Sequence, residues 1–335
     1  DRHSIILMVG AVVVVFLHNV PYKWFQVFPV FLYPISLVLL AFVTLMGIIT
    51  GDRVNGAARW MTFMGLQFQP SELAKMAVII AVSFILSKRQ DEEGANPKAF
   101  KYIMILTGLV LILIAPENLS TAMLLFGVVF MMMFIGRVAA KKLLLLAGGL
   151  ILIGALGVGT VVAIPAKTLH STPGLHRLET WQNRIKGFFD KDEVPAAKFD
   201  IDKDAQIAHA RIAIATSHVV GKGPGNSIQR DFLSQAFSDF IFAIVVEEMG
   251  LIGGIFVVFL YLWLLMRAGR IAQKCERTFP AFLVMGIALL LVSQAILNMM
   301  VAVGLFPVTG QPLPLVSKGG TSTLINCAYI GMILS

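Results

Sequence analysis

Asp239, Glu247 and Glu248 stand in the first half of Ser238–Arg267, an apolar run long enough to cross a bilayer. A carboxylate near hydrocarbon costs a few kcal/mol or more, so it normally faces a polar cavity or a partner and marks function. Asp239 directly follows a long polar stretch, which sets it at a membrane surface rather than in mid-bilayer. A carboxylate at such a half-desolvated mouth can take a proton from a substrate hydroxyl near neutral pH, the work of a general base. The competing reading is an interfacial Asp that caps a helix N-terminus with help from Ser238. Glu247, eight residues on, falls close to the face of Asp239, whereas Glu248 is rotated about 100° from Glu247. Both lie deeper and are expected to serve as structural hydrogen-bond or ion-pair partners in the helix bundle.

Other polar residues are grouped so that they could assist. Gln69-Pro-Ser-Glu-Leu-Ala-Lys75 opens an apolar segment, with Ser71 suited to an N-cap and Glu72 to the dipole of the first turn. Lys75 lies one turn into hydrocarbon, where an ammonium needs an anion: Asp239, another carboxylate or a bound pyrophosphate. Glu117, in the tight turn Pro116-Glu117-Asn118, is expected to be structural. Pro307–Ser322 is rich in Pro and Gly, a run tolerated at membrane depth only where it is buried or lines a cavity. Within it Ser317, Gly319, Gly320 and Thr321 could offer backbone N–H groups to an anion, with Lys318 as a further substrate contact, against the plainer reading of a rigid re-entrant turn. Gly221-Lys-Gly-Pro-Gly225 lacks the spacing of a nucleotide loop and reads as a flexible turn, with Lys222 as a substrate contact. Arg177, Trp181 and Arg184 fall on helical spacing and could meet a charged headgroup. The six histidines show no ligand spacing.

These residues must be held by membrane helices. The chain is 57% hydrophobic and 14% charged, more apolar than a soluble domain can bury. Nine apolar segments can be read, near 4–21, 27–50, 71–87, 102–115, 119–136, 143–164, 237–266, 279–304 and 321–335. An all-α polytopic membrane protein follows, with residues 1–335 forming one membrane domain.

The net charge of +8 could suggest nucleic acid, but the Lys and Arg sit in short loops, as orientation signals do. One set of alternate loops holds twelve basic residues, from Lys23 to Arg277, and the other set four. That imbalance puts Asp1 outside and Ser335 inside. The hydrophilic segment 165–236 is then a large extracytoplasmic loop, and Glu72, Glu117, the 307–320 loop and Asp239 all converge on the outer face. Cys275 and Cys327 fall at different depths, so no disulfide is expected.

Taken together, these stretches resemble the SEDS family of bacterial cell-wall proteins, the group of FtsW and RodA. The resemblance rests on Gln69–Lys75, Pro116–Ala122, Gly221–Gly225, Ser238–Ala243 with Glu247–Gly253, and Pro312–Ser322, in that order. Gly136-Arg-Val138 and Asn226–Asp231 look closer to FtsW of the Bacteroidetes type than to RodA. The family has ten transmembrane helices, so the nine segments would be its second to tenth, with the first absent and the last cut. Asp239 matches the family's essential Asp. Lys318 stands where Tyr is usual, Ser238 where Thr is common and His209 where Ser is usual, which puts the contacts around 209 and 318 in question.

The resemblance implies an inner-membrane peptidoglycan glycosyltransferase that polymerises lipid II during cell division. It also implies a class B penicillin-binding transpeptidase and divisome proteins as partners, and no organic cofactor. Asp239 would deprotonate the acceptor hydroxyl, undecaprenyl pyrophosphate would leave, and the linkage would form with inversion. Charge on the leaving group would be met by Lys75, a loop Arg or a divalent cation, Mg or Mn, for which Asp239 is a candidate ligand. The alternatives are a lipid II flippase, a non-catalytic divisome scaffold, or a RodA-type role in elongation.

Overall fold

The computed structural model describes residues 2–50, 61–63, 66–163, 182, 204–233, 238–318 and 320–335. Among the described residues, helix covers most of each expected apolar segment, with a break inside 237–266. In chain order with one short turn, the helices are α1 (Arg2–Asn19), α2 (Tyr22–Phe25), α3 (Phe28–Thr50), α4 (Pro70–Lys88), α5 (Pro97–Ile114), α6 (Leu119–Ile135) and α7 (Ala140–Ala163). They continue with α8 (Asp204–Ala215) in the loop region, then α9 (Ile241–Lys274), α10 (Thr278–Ala302) and α11 (Gly320–Leu334). Among the described residues six helices are long and apolar enough to cross a membrane, and the apolar parts of α1, α6 and α11 are shorter.

Local chemistry sets the helix ends. Pro70 and Pro97 occupy first-turn positions, where the missing N–H is no loss. Asn96 and Asn118 cap α5 and α6, accepting from the amides of Lys98 at 3.0 Å and Thr121 at 3.2 Å. The expected capping of α4 by Ser71 is not what forms. Gln69 takes the N-cap position, Pro70 follows it, and the buried Ser71 hydroxyl has no hydrogen-bond partner. With a Pro at the first helical position, the cap falls one residue before it.

α4 is the centre of the body, packed by α3, α5, α6 and α10. Ile79, Ile80, Leu86, Leu125, Met132, Ile287 and Leu291 belong to this core. Hydrocarbon gives apolar helices little reason to associate, so close fit must supply it. At Gly286 of α10 a Cβ would fall 2.6 Å from the Met132 methyl and 3.0 Å from Ile79. A second apolar cluster joins α8, the start of α9, α10 and the 307–320 loop through Ala213, Phe240, Ala295 and Leu313. The outward faces carry Phe31, Val38, Ile112, Leu144, Leu145, Phe256 and Trp263, all exposed, as contact with lipid tails requires.

The expected single helix over 237–266 is corrected in both its start and its continuity. Residues 238–240 form a turn, α9 begins at Ile241, and it breaks at Gly250 (φ 71°, ψ −172°). From Leu251 to Lys274 the rise is about 36 Å, enough by itself for hydrocarbon about 30 Å thick. The part that precedes Gly250, with all three carboxylates at or near it, is therefore surplus to the span.

Candidate active site

Asp239 sits half-buried in the 238–240 turn. The turn is fixed by its backbone. The carbonyl of Ser238 accepts the Ser317 hydroxyl at 2.6 Å, and that of Asp239 accepts Asn298 Nδ2 at 2.9 Å. Ser317 in turn accepts the Leu313 amide at 2.7 Å, and Asn298 Nδ2 also donates to the Gln311 carbonyl at 2.8 Å. The Ser238 hydroxyl donates to Asp239 Oδ1 at 3.0 Å. The N-cap position of α9 is Phe240, and no side chain caps it.

The 307–320 loop is buried or half-buried from Pro307 to Pro314 and buried again at Ser317, as its composition required. Gln311 Nε2 donates to Thr121 Oγ1 of α6 at 2.6 Å, Gln294 Nε2 of α10 donates to the Pro312 carbonyl at 3.0 Å, and the Tyr261 hydroxyl of α9 donates to the Pro314 carbonyl. Ser317 is consumed in this bracing, while Lys318 and Gly320 are exposed. Gly319 lies outside the described residues, as do Arg177, Trp181 and Arg184.

Lys75 is fully buried, and its anion is local. Glu72 Oε1 lies 2.8 Å from its ammonium, and Gln294 Oε1 accepts from it at 3.1 Å. Gln294 and Asn298 are one turn apart on α10, so one helix face serves the Lys75 pair and the Asp239 turn together. A small cavity lined by Gln69, Ser71, Glu117 and Asn118, among others, joins the starts of α4 and α6. Glu72, Glu117, Asp239 and the 307–320 loop are therefore assembled at one end of the body.

Glu247 is also fully buried, but its partners come from the long loop rather than from the bundle. Lys222 Nζ lies 2.5 Å from Oε1, the Ser227 hydroxyl donates to Oε2, and the amides of Ile228 and Gln229 each approach at 3.3 Å. The partly buried Glu248 gives its backbone carbonyl to the Gly223 amide at 2.8 Å. His209 pairs with Gln229 at 2.6 Å and stacks on Phe232, so the residue replacing the usual Ser is built into the same loop. Asn298, Gln294, Gln311, Thr121 and Tyr261 were not singled out by sequence. An Asn and a Gln at i, i+4 in an otherwise apolar span were the available signal.

A polytopic helical protein with a braced carboxylate at one end of its body is thus in view, and comparison places it. Over residues 1–335 the chain matches the FtsW/RodA/SpoVE family of cell cycle proteins, and it belongs to that family. The probable peptidoglycan glycosyltransferase FtsW of Trichlorobacter lovleyi is 33% identical over 336 residues, covering 100% of this chain and 82% of that protein. Its counterpart in Geobacter sp. strain M18 is 34% identical over 340 residues, covering 100% and 85%. The fold is similar to a chain from work on structural coordination of polymerization and crosslinking by a peptidoglycan synthase complex. That likeness has a TM-score of 0.75 and 26% identity, covering 99% of this chain and 87% of the other. It is similar also to the Thermus thermophilus rod shape determining protein RodA, with a TM-score of 0.66, 25% identity and coverage of 99% and 85%.

Proposed function

We propose that this protein is a peptidoglycan glycosyltransferase that polymerises lipid II in the FtsW-type division role, with Asp239 as general base. The observation that carries the reading is a half-buried carboxylate whose own and preceding carbonyls are both pinned by Asn298 and Ser317. A base held this way keeps its geometry while its side chain meets substrate. The acceptor's 4-hydroxyl gives its proton to Asp239 as its oxygen attacks the anomeric carbon of the lipid-linked donor. Undecaprenyl pyrophosphate leaves and the configuration inverts. Such a base commonly contributes 10²–10⁴ in rate.

The departing pyrophosphate needs positive charge. The exposed Lys318, next in sequence to the Ser317 that braces the Asp239 turn, is a cation placed to supply it. Among the described residues no group of three His, Cys, Asp or Glu side chains converges on a point. A divalent cation, Mg or Mn, for which Asp239 is a candidate ligand, would supply further charge to the leaving group. We put the active end on the extracytoplasmic side of the inner membrane, C-terminus inside, because the short loops at the other end are the more basic. A class B penicillin-binding transpeptidase and divisome proteins are the proposed partners. The reading is tested by polymerisation of lipid II with purified protein, with and without Asp239.

A further inference from the structure

The break at Gly250 leaves backbone groups that need partners. A helix ending near Met249 loses acceptors' donors, and one starting at Leu251 exposes its first amides. Residues 218–223 satisfy both sides. The amides of Lys222 and Gly223 donate to the carbonyls of Glu247 and Glu248 at 3.0 and 2.8 Å. The amides of Leu251 and Ile252 donate to the carbonyls of His218 and Val219 at 3.2 and 3.3 Å. The approach is close enough to require glycine on both sides. Gly221 has φ 79°, and a Cβ there would lie 2.3 Å from the Gly250 nitrogen; a Cβ on Gly250 would lie 2.2 Å from the Val219 carbonyl oxygen.

The buried Glu247 carboxylate closes the same joint from the side-chain direction. Its four donors, Lys222 Nζ, Ser227 Oγ and the amides of Ile228 and Gln229, all belong to the final stretch of the long loop. Ile241–Met249 is thus a short half-helix with the 238–240 turn at one end and the loop clamp at the other. Asn298 and Ser317 hold the first end by its backbone. The clamp fixes the end next to Gly250, while Phe242, Ala243 and Val246 pack into the second apolar cluster.

Resting on the glycosyltransferase reading, we propose that Glu247 is a positioning residue for Asp239. Paired with Lys222 and Ser227, it locks the half-helix and thereby ties the position of the base to the end of the long loop. It does not touch the reacting atoms.

The test compares wild type, Glu247→Gln, Glu247→Asp and Ser227→Ala in the full chain, reading lipid II polymerisation and amide exchange together. Glu247→Gln is expected to lower kcat about 30- to 100-fold, the scale of a misplacement near 1 Å, while KM for lipid II moves less than about threefold. The amides of Ile228, Gln229, Lys222 and Gly223 should exchange at least about tenfold faster, with those of α4 unchanged. Glu247→Asp should recover part of kcat, and Ser227→Ala should lose about three- to tenfold. Loosened amides with wild-type kcat in Glu247→Gln would overturn the positioning role. If Glu247→Gln does not fold, Ser227→Ala decides by the same criterion. A wild type that makes no polymer sinks the glycosyltransferase reading and the positioning role with it, whereas an active wild type with unaffected variants sinks the positioning role alone.

Discussion

Asn298 reaches two carbonyls with one amide nitrogen, that of Asp239 at 2.9 Å and that of Gln311 at 2.8 Å. Through that one donor group it bonds both the turn bearing the proposed base and the 307–320 loop. Asn298→Ala leaves both carbonyls without that donor. Each buried acceptor so stranded costs about 1–3 kcal/mol. The expected outcome is a lower thermal midpoint and a lipid II polymerisation rate reduced more than tenfold, read on folded protein. A wild-type rate would show that the Asp239 turn does not need this brace.

Glu72 and Lys75 form a buried ion pair at 2.8 Å, with Gln294 as the further partner of the ammonium. Removing one charge strands the other in the bundle, a loss of about 3–5 kcal/mol, whereas replacing both by apolar residues can be close to neutral. Glu72→Gln and Lys75→Met should each destabilise strongly, and Glu72→Leu with Lys75→Met should recover much of the loss. Thermal unfolding in detergent measures the coupling. Additive losses would contradict the pairing.

Gly250 and Gly221 meet across one joint, each in the left-handed region and each blocking a Cβ on the other's side. Ala at either position must shift backbone, so both single variants should lower the thermal midpoint markedly. Because they disturb the same contact, the double variant should be little worse than either single one. A double variant showing the full sum would mean that the two glycines are needed for separate reasons.

Much of this was legible in the sequence, and the reasons differ by residue. Long apolar runs located the helices because hydrocarbon thickness fixes their length. Lys75 required an anion, and Glu72 one turn away provides it. The break in α9 was not legible, since Glu247–Gly250 reads as a continuous helix unless its partner segment 218–223 is known. For the same reason Glu247 was assigned to the bundle when its partners lie in the loop. Asn298 and Gln294 went unremarked because their value comes from the 311–312 backbone, which only the tertiary fold brings beside them.

The proposed sidedness rests on the basic residues of the short loops. Burial pushes the Cys275 thiol up, which slows its labelling, so introduced cysteines are the better probes. With both native cysteines replaced, Lys318→Cys should react with a membrane-impermeant maleimide in intact spheroplasts and Lys98→Cys only after permeabilisation. The reverse pattern would place the Asp239 end in the cytoplasm.

The most direct test of the whole account is polymerisation of lipid II by purified protein with the proposed transpeptidase partner, wild type beside Asp239→Asn. The substitution keeps the shape and removes the base. Polymer from wild type and a loss of at least about a hundredfold in a folded Asp239→Asn protein is the predicted result. Full polymerisation by Asp239→Asn would contradict it, and lipid translocation without polymer from the wild type would point to a flippase instead.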